Sequence, residues 1–545
     1  MAQSLMIQGT GSGVGKSLLV TALCRIFKDM GIDVAPFKAQ NMALNAYVTK
    51  EGGEIGVAQA LQARAARIEP EIDMNPILLK PSGEAGVQIV IHGKVHSIMQ
   101  AKGYYGFKNY ALEAVRSSFQ RLSKSHELII IEGAGSPAEI NLMKNDIVNM
   151  AMAKYANAPV LLVGDIDKGG VFASFYGTIK LLCRDSRYIK AFIINKFRGD
   201  LGLLKPGLKM IKTKTGRPVI GVIPYVRDLY LPEEDGTSIK EIYAGARTHR
   251  TFQTKGQGNP APTKFISNMG VHVAEHKPRA YEKFEIQDSI KIVVVKLLYI
   301  SNFTDFEPFY YEPDVELIYS NNPSDISQAD IVIIPGTKNT MDDLTFLKRT
   351  GLTESIKKAY KKDIQIIGIC GGYQMLGKRL LNPYSVEGRI KTLDGIGMLN
   401  IKTVFQKEKI TSQVEVKIVQ GSALGIKGLE DTGLKGYEIH HGVSKGDIGL
   451  FRLKRVSGEN TKSMGGFDTP DGSKNKNCFG TYIHGIFDND KFRRVILNSI
   501  RTKKGLKPLK HIYSYTKTQD ETIDRFTDTV KMHLDMEFIK SLIRV

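Results

Sequence analysis

Short apolar runs, each closing on glycine, acid or amide residues, alternate with segments of helical spacing along most of the 545-residue chain. In the first part the runs are Ser4–Gln8, Asp33–Phe37, Leu128–Ile131, Val160–Val163, Phe192–Ile194 and Val219–Ile223. They are mostly continuous rather than alternating, as strands covered on both faces are. A helical repeat follows the first run at Leu18, Leu19, Ala22, Leu23, Ile26 and Phe27. Strand and helix in turn, with polar tips at the strands' carboxyl ends, predict an α/β fold built on a doubly wound parallel sheet. From about Lys240 to Asp288 no period persists, and Thr254-Lys-Gly-Gln-Gly-Asn-Pro-Ala-Pro-Thr263 has a linker's composition. A second α/β unit opens at Ile292–Leu298, continues through Val315–Tyr319 and Ile331–Ile334, and reaches Ile364–Ile369. The end of the chain, Ile523–Ile543, repeats apolar residues at helical spacing and reads as a docking helix. The predicted division is 1–239, a linker or insertion at 240–288, 289–500, and a helical tail at 501–545.

Composition narrows the class. The chain is too long for one core. Its 42% hydrophobic and 24% charged content is that of a soluble globular protein. No apolar run approaches the roughly 20 residues that span a bilayer, and the first residues enter a strand without a signal peptide's regions. Four cysteines without metal-ligand spacing point to a reducing cytoplasm. The net charge of +20 comes from 76 basic against 56 acidic residues. These are scattered, with no nucleic-acid motif, so the charge reads as a solvated surface. The expected partners are small molecules, with neither nucleic acid nor membrane; the oligomeric state is not readable.

Chemistry gathers at the strand tips. Gly9-Thr-Gly-Ser-Gly-Val-Gly-Lys-Ser17, between strand and helix, is a phosphate cradle. Gly9, Thr10, Gly13 and Gly15 form the loop, Lys16 reaches the terminal phosphates, and Ser17 ligates Mg²⁺. The loop is one residue longer than the common form, with Thr10 at the usual first-glycine position. Glu132, delivered by an apolar strand to Gly-Ala-Gly-Ser-Pro137, is the second expected metal ligand. Lys38, Gln40, Asn41 and Asn45 close the second strand and are candidates for phosphate or a polar substrate, as is Asp146. Asn195 opens Asn-Lys-Phe-Arg198, close to a guanine-reading pattern but with Arg in the acid's place. It is taken as a nucleotide contact without GTP specificity.

In the second unit the apolar strand stops at Cys370, flanked by Gly368, Gly371 and Gly372, and a helix begins. A cysteine at the apex of a strand–turn–helix reads as a nucleophile, with N–H groups at the helix start favouring the thiolate and forming an oxyanion hole. Gly371 and Gly336, the latter in Pro335-Gly-Thr-Lys-Asn339, are the expected oxyanion donors. The base is read as His484 in Gly480-Thr-Tyr-Ile-His-Gly-Ile-Phe487, in preference to the histidines of Gly436-Tyr-Glu-Ile-His-His-Gly442.

Several long motifs in order resemble the cobyric acid synthase family of glutamine-hydrolysing, cobyrinic-type amidotransferases. They are Phe37–Asn45, Met74–Pro81, Glu132–Pro137, Ile300–Phe306, Pro335–Thr340, the Cys370 elbow and Gly480–Phe487. The resemblance covers nearly the whole chain and implies a dethiobiotin-synthetase-like ATP domain joined to a Cys–His amidotransferase domain. It implies ATP- and Mg²⁺-dependent amidation of the b, d, e and g carboxylates of adenosylcobyrinic acid a,c-diamide through acyl phosphates, with ammonia from glutamine. Triad amidotransferases carry Glu two residues after the histidine; here Ile486 stands there. What orients His484 is therefore open between a carbonyl, a hydroxyl and another acid. Glu438 is the nearest carboxylate by motif, and a Cys–His dyad with slow turnover is expected. The second motif reads His440-His441 where the family has His-Met, and the 240–285 stretch is longer than in most relatives. Two alternatives are cobyrinic acid a,c-diamide synthase, against which the Asn41–Asn45 run speaks, and a ParA-like partner-binding ATPase. The latter carries a lysine where this loop has Gly11 and needs no cysteine elbow.

Overall fold

A computed structural model describes residues 2–81, 86–99, 108–227, 229, 231, 289–419, 433–457 and 466–543. The expected linker at 240–288 lies outside the described residues. The first unit centres on six parallel strands ordered Val219–Pro224, Ile189–Phe197, Val160–Asp165, Gln3–Gly9, Leu128–Glu132, Val34–Phe37. Leu5, Met6, Ile7 and Ile129–Ile131 have no exposed surface, as helices on both faces require. Every expected run of this unit is a strand of the sheet.

The second unit repeats the design. Val315–Ser320, Ile290–Val295, Ile331–Ile334, Gln365–Ile369 and Cys478–Thr481 run parallel, and Ser473–Asn475 closes the edge antiparallel. Here the sequence pattern misses a third sheet. Its long strands Ile401–Ile418 and Leu434–Gly446 pair antiparallel beside the elbow. They alternate buried and exposed residues, including several lysines, so no continuous apolar run marks them. His440 is consequently inside a strand rather than at the end of one. A four-stranded sheet over Gln40–Met42, Ile77–Pro81, Val87–Ile91 and Lys94–Met99 was equally unannounced.

The tail differs from a single docking helix. It forms two helices, Tyr515–His533 and Met536–Ile543. Between them Leu534 pairs with Gly221 on the edge strand of the first sheet. A Cβ at Gly221 would stand 2.6 Å from the His533 carbonyl oxygen, so this approach needs glycine. Ile523, Phe526, Val530, Ile539 and Ile543 enter one core cluster with Leu5, Ile7, Leu19 and Leu23. Arg25 and Arg64 tie the first tail helix down through Asp520 and Asp524. The last helices thus complete the hydrophobic core of the first unit, and the expected boundary at 500 falls within the helix Asp490–Lys503.

The two units meet along Asn45–Val48. Asn45 Oδ1 accepts the Phe303 N–H (3.1 Å), and the Asn302 amide accepts the Ala46 N–H and donates to the Ala46 carbonyl (3.4 Å each). Ala43, Ala46, Val48, Leu78 and Val90 from one side pack with Ile439 from the other. Beside them the buried Glu54 carboxylate receives Lys80 of its own unit and Lys409 across the seam.

Candidate active site

The elbow is set by close packing. Cys370, at φ 50° and ψ −106°, sits between the strand end and the helix Gly371–Leu376, and its N–H donates to the Thr481 carbonyl. A Cβ at Gly372 would lie 1.9 Å from the Ile334 carbonyl oxygen, so only glycine lets the helix turn back across the neighbouring strand. That strain aims Sγ at the strand Leu434–Gly446, where it lies 3.7 Å from the Ile439 carbonyl. His484, three residues past the strand Cys478–Thr481, lines the same pocket as the cysteine. Gly336 touches both: a Cβ there would be 3.0 Å from His484 Cε1 and 3.8 Å from Cys370 Cβ. Gly371 faces Thr337, whose backbone nitrogen stands 3.2 Å from where its Cβ would be. The fold therefore brings Cys370, His484, Gly336 and Gly371 together, and adds Thr337.

The dyad expectation is corrected. His484 Nδ1 bonds Asp305 Oδ2 at 2.7 Å, and Asp305 Oδ1 accepts the Gly485 N–H at 3.0 Å. Both side chains are almost fully buried, and Tyr437 stacks on the imidazole at 5.2 Å. Burial alone would push the imidazole down in pKa, but the Asp305 carboxylate and the Cys370 sulfur carry it up to about 10. Asp305 thus takes the third place from the 3₁₀ helix Phe303–Tyr311, 179 residues away in sequence and within the Ile300–Phe306 motif. Glu438 does not reach His484. It holds His440 Nε2 at 3.1 Å and Arg455 at 2.7 Å. Against the cost of burial, those partners bring its carboxyl down to about 2.

At the other site Glu132 is a hub. It accepts from Ser17 Oγ (2.8 Å) and Gln62 Nε2 (2.6 Å) and pairs with Lys38 (3.0 Å). Burial opposes its charge, yet Lys38, Gln62 and Ser17 hold it below the usual carboxylate range. Ser17 and Glu132 are hard oxygen donors side by side, a set that fits Mg²⁺ bound together with phosphate oxygens. Lys16 Nζ bridges the carbonyls of Gly11 (2.9 Å) and Gly135 (3.3 Å), so the cradle and the Glu132 loop are already in contact. Gly9 closes the strand Gln3–Gly9, Gly13 and Gly15 lie in the loop after it, and the Gly13 carbonyl takes Lys196 (2.8 Å).

Other expected contacts fall elsewhere. The Thr10 N–H is taken by the Val163 carbonyl. Asn195 braces the loop from below, donating to the Val14 carbonyl at 2.9 Å. Asn41 is buried against Gln59, and Asn45 serves the seam between the units. Gln40 is half-buried on its short strand. Asp146 caps the turn before the helix Met150–Tyr155, accepting N–H groups of Val148, Asn149 and Ala151. Gln62 escaped sequence reading because it sits on an ordinary helix with no motif around it.

A cavity opens beside Cys370 and His484 and is lined from the first unit by Leu44 and Lys80. Among the described residues no helix is long and apolar enough to cross a membrane.

Residues 5–239 match the model of the CobQ/CobB/MinD/ParA nucleotide binding domain. Residues 291–492 match that of the CobB/CobQ-like glutamine amidotransferase domain. The chain is 46% identical to a cobyric acid synthase of Thermodesulfovibrio yellowstonii over 98% of both chains. It is 44% identical to one of Caldanaerobacter subterraneus subsp. tengcongensis over 99% of this chain and 98% of that one. Identity to the cobyric acid synthase of Syntrophobacter fumaroxidans is 41% over 99% of both. With both halves matched and such identity along the whole length, the chain belongs to the cobyric acid synthase family.

Proposed function

We propose that this enzyme amidates the b, d, e and g side-chain carboxylates of adenosylcobyrinic acid a,c-diamide, using glutamine as nitrogen donor and ATP as activator, in cobalamin biosynthesis. The observation that carries this is one cavity walled by both units, with a Cys–His–Asp constellation on one side and the phosphate-loop unit on the other. His484 takes the proton of Cys370 Sγ, held in the correct orientation by Asp305. The thiolate adds to the side-chain amide carbon of glutamine, and the oxyanion is held by backbone N–H groups of Gly371 and the Gly336–Thr337 segment. The imidazolium returns the proton to the departing nitrogen, ammonia leaves, and water cleaves the thioester to glutamate. In the first unit Lys16 and the loop N–H groups orient ATP so that a substrate carboxylate attacks its terminal phosphorus. Ser17 and Glu132 would hold Mg²⁺, which would supply charge neutralisation for the transferring group. ADP leaves as the acyl phosphate forms, and ammonia then displaces phosphate from the carbonyl carbon, losing a proton to give the amide.

The test is mass spectrometry of the product from the a,c-diamide, ATP and glutamine. Four successive exchanges of hydroxyl for amino are expected. A product unchanged in mass, or one fixed after fewer exchanges, would overturn the assignment. Cys370→Ala is expected to lose glutamine-dependent synthesis and to keep synthesis with high ammonia; equal loss with both donors would sink the two-site reading.

A further inference from the structure

The glutaminase cavity is walled by more charge than its triad uses. Most of it is matched: Glu54 holds Lys80 and Lys409, Glu438 holds His440 and Arg455, and Asp305 holds His484. Lys338 and Glu387 also line the cavity. Among the described residues Lys338 Nζ has neither a hydrogen bond nor an ion pair, although its own N–H is fixed to the Tyr299 carbonyl (2.9 Å). It follows directly on Gly336 and Thr337, so its place relative to Cys370 is set by the oxyanion segment. Glu387 is equally fixed. Its Oε2 accepts the Thr340 N–H at 2.6 Å, and Asn382 clamps the carbonyls of Glu387, Gly388 and Ile390.

Burial opposes both charges, and each only partly offsets the other. Burial, with Lys409 nearby, pushes Lys338 down to about 8 against the pull of Glu387, and burial pushes Glu387 up to about 7 against the pull of Lys338. A third group points the same way. His441 Nδ1 faces the Gln406 carbonyl at 3.2 Å, which places the ring proton there and leaves Nε2 as a lone-pair acceptor. Among the described residues that buried Nε2 has no partner. Burial and the neighbouring Lys409 and Lys338 hold His441 down to about 3, so it stays neutral. One cation, one anion and one neutral acceptor beside the nucleophile match a zwitterion.

We propose that Lys338 takes the α-carboxylate of glutamine and that Glu387, with His441 Nε2, takes its α-ammonium, so that these residues select the nitrogen donor. The assignment deepens the proposed function and rests on Cys370 as the glutaminase nucleophile.

Three substrates separate the contacts: glutamine, glutaramate (which lacks the ammonium) and 4-aminobutanamide (which lacks the carboxylate), each read by ammonia release. For the wild type, kcat/KM should fall about 10- to 100-fold on losing either group, the worth of one charged hydrogen bond. Glu387→Gln should show that loss on glutamine but stay within about threefold of wild type on glutaramate. Lys338→Met should show it on glutamine but not on 4-aminobutanamide, and Lys338→Arg should recover part of it. A wild type that hydrolyses glutamine, with variants that lose all three substrates by one factor, overturns this assignment alone. A wild type that releases no ammonia from glutamine overturns the Cys370 reading and this assignment with it.

Discussion

At the scale of single residues, the triad shows how an acid can move without the chemistry changing. Triad amidotransferases carry the acid two residues beyond the histidine; here that neighbour is Ile486, and Asp305 arrives from the 3₁₀ helix Phe303–Tyr311 to bond the imidazole at 2.7 Å. We predict that Asp305→Asn lowers glutaminase kcat by about 10²- to 10⁴-fold, as the loss of a triad acid does, with little change in KM. Glu438→Gln should cost less than about tenfold in kcat, because its partners are His440 and Arg455, and should lower the melting temperature instead. Equal losses in the two variants would return Glu438 to the catalytic centre. The raised imidazole carries a linkage consequence whose sign is fixed. A folded-state value near 10 against an unfolded value near 6.5 means the native state binds the proton more tightly. The stability gained is full below about pH 6.5 and is lost as pH rises toward 10. Asp305→Asn should flatten that slope in denaturant titrations run across the window; an unchanged slope would contradict the pairing.

At the scale of elements, the seam decides how firmly the triad is held. Asn302 and Phe303 contact Asn45 and Ala46 of the first unit, and Asp305 follows two residues later. Asn45→Ala leaves the buried Phe303 N–H without its acceptor, a cost of about 1–3 kcal/mol. We expect glutamine hydrolysis to slow while ATP affinity, measured by calorimetry, stays within about twofold of wild type; the reverse pattern would place Asn45 at the nucleotide. This also marks where the sequence stops being readable. Parallel strands buried on both faces appear as unbroken Val/Ile runs, and the elbow and phosphate loop as glycine patterns beside their reactive residues. Residues within those local motifs can therefore be picked out from sequence as candidates. The roles of Asn45 and Asp305 depend on contacts more than 170 residues apart, and no local spacing encodes them. Asp146 and Asn195 look like ligands in sequence because amides and acids at strand tips usually face substrate. Here the backbone's own unmet donors and carbonyls claim them first.

At the scale of the whole molecule, two chemistries share a chain but not a site. Lys16→Ala should abolish synthesis with glutamine and with ammonia alike, while basal glutaminase persists, since Cys370, His484 and Asp305 all belong to the other unit. Undiminished ATP binding in that variant would show the nucleotide to be misplaced. The tail binds the ends of the chain into one core, so Gly221→Val, which crowds the His533–Leu534 turn, should lower the melting temperature of the first unit before that of the second. The same closure has a consequence during synthesis on the ribosome. The last strand of the first sheet ends at Pro224, yet its covering residues Ile523–Ile543 follow only about 300 residues later in the chain. At about 5–20 residues per second that sheet waits on the order of tens of seconds, with an apolar face for the cell's chaperones to guard.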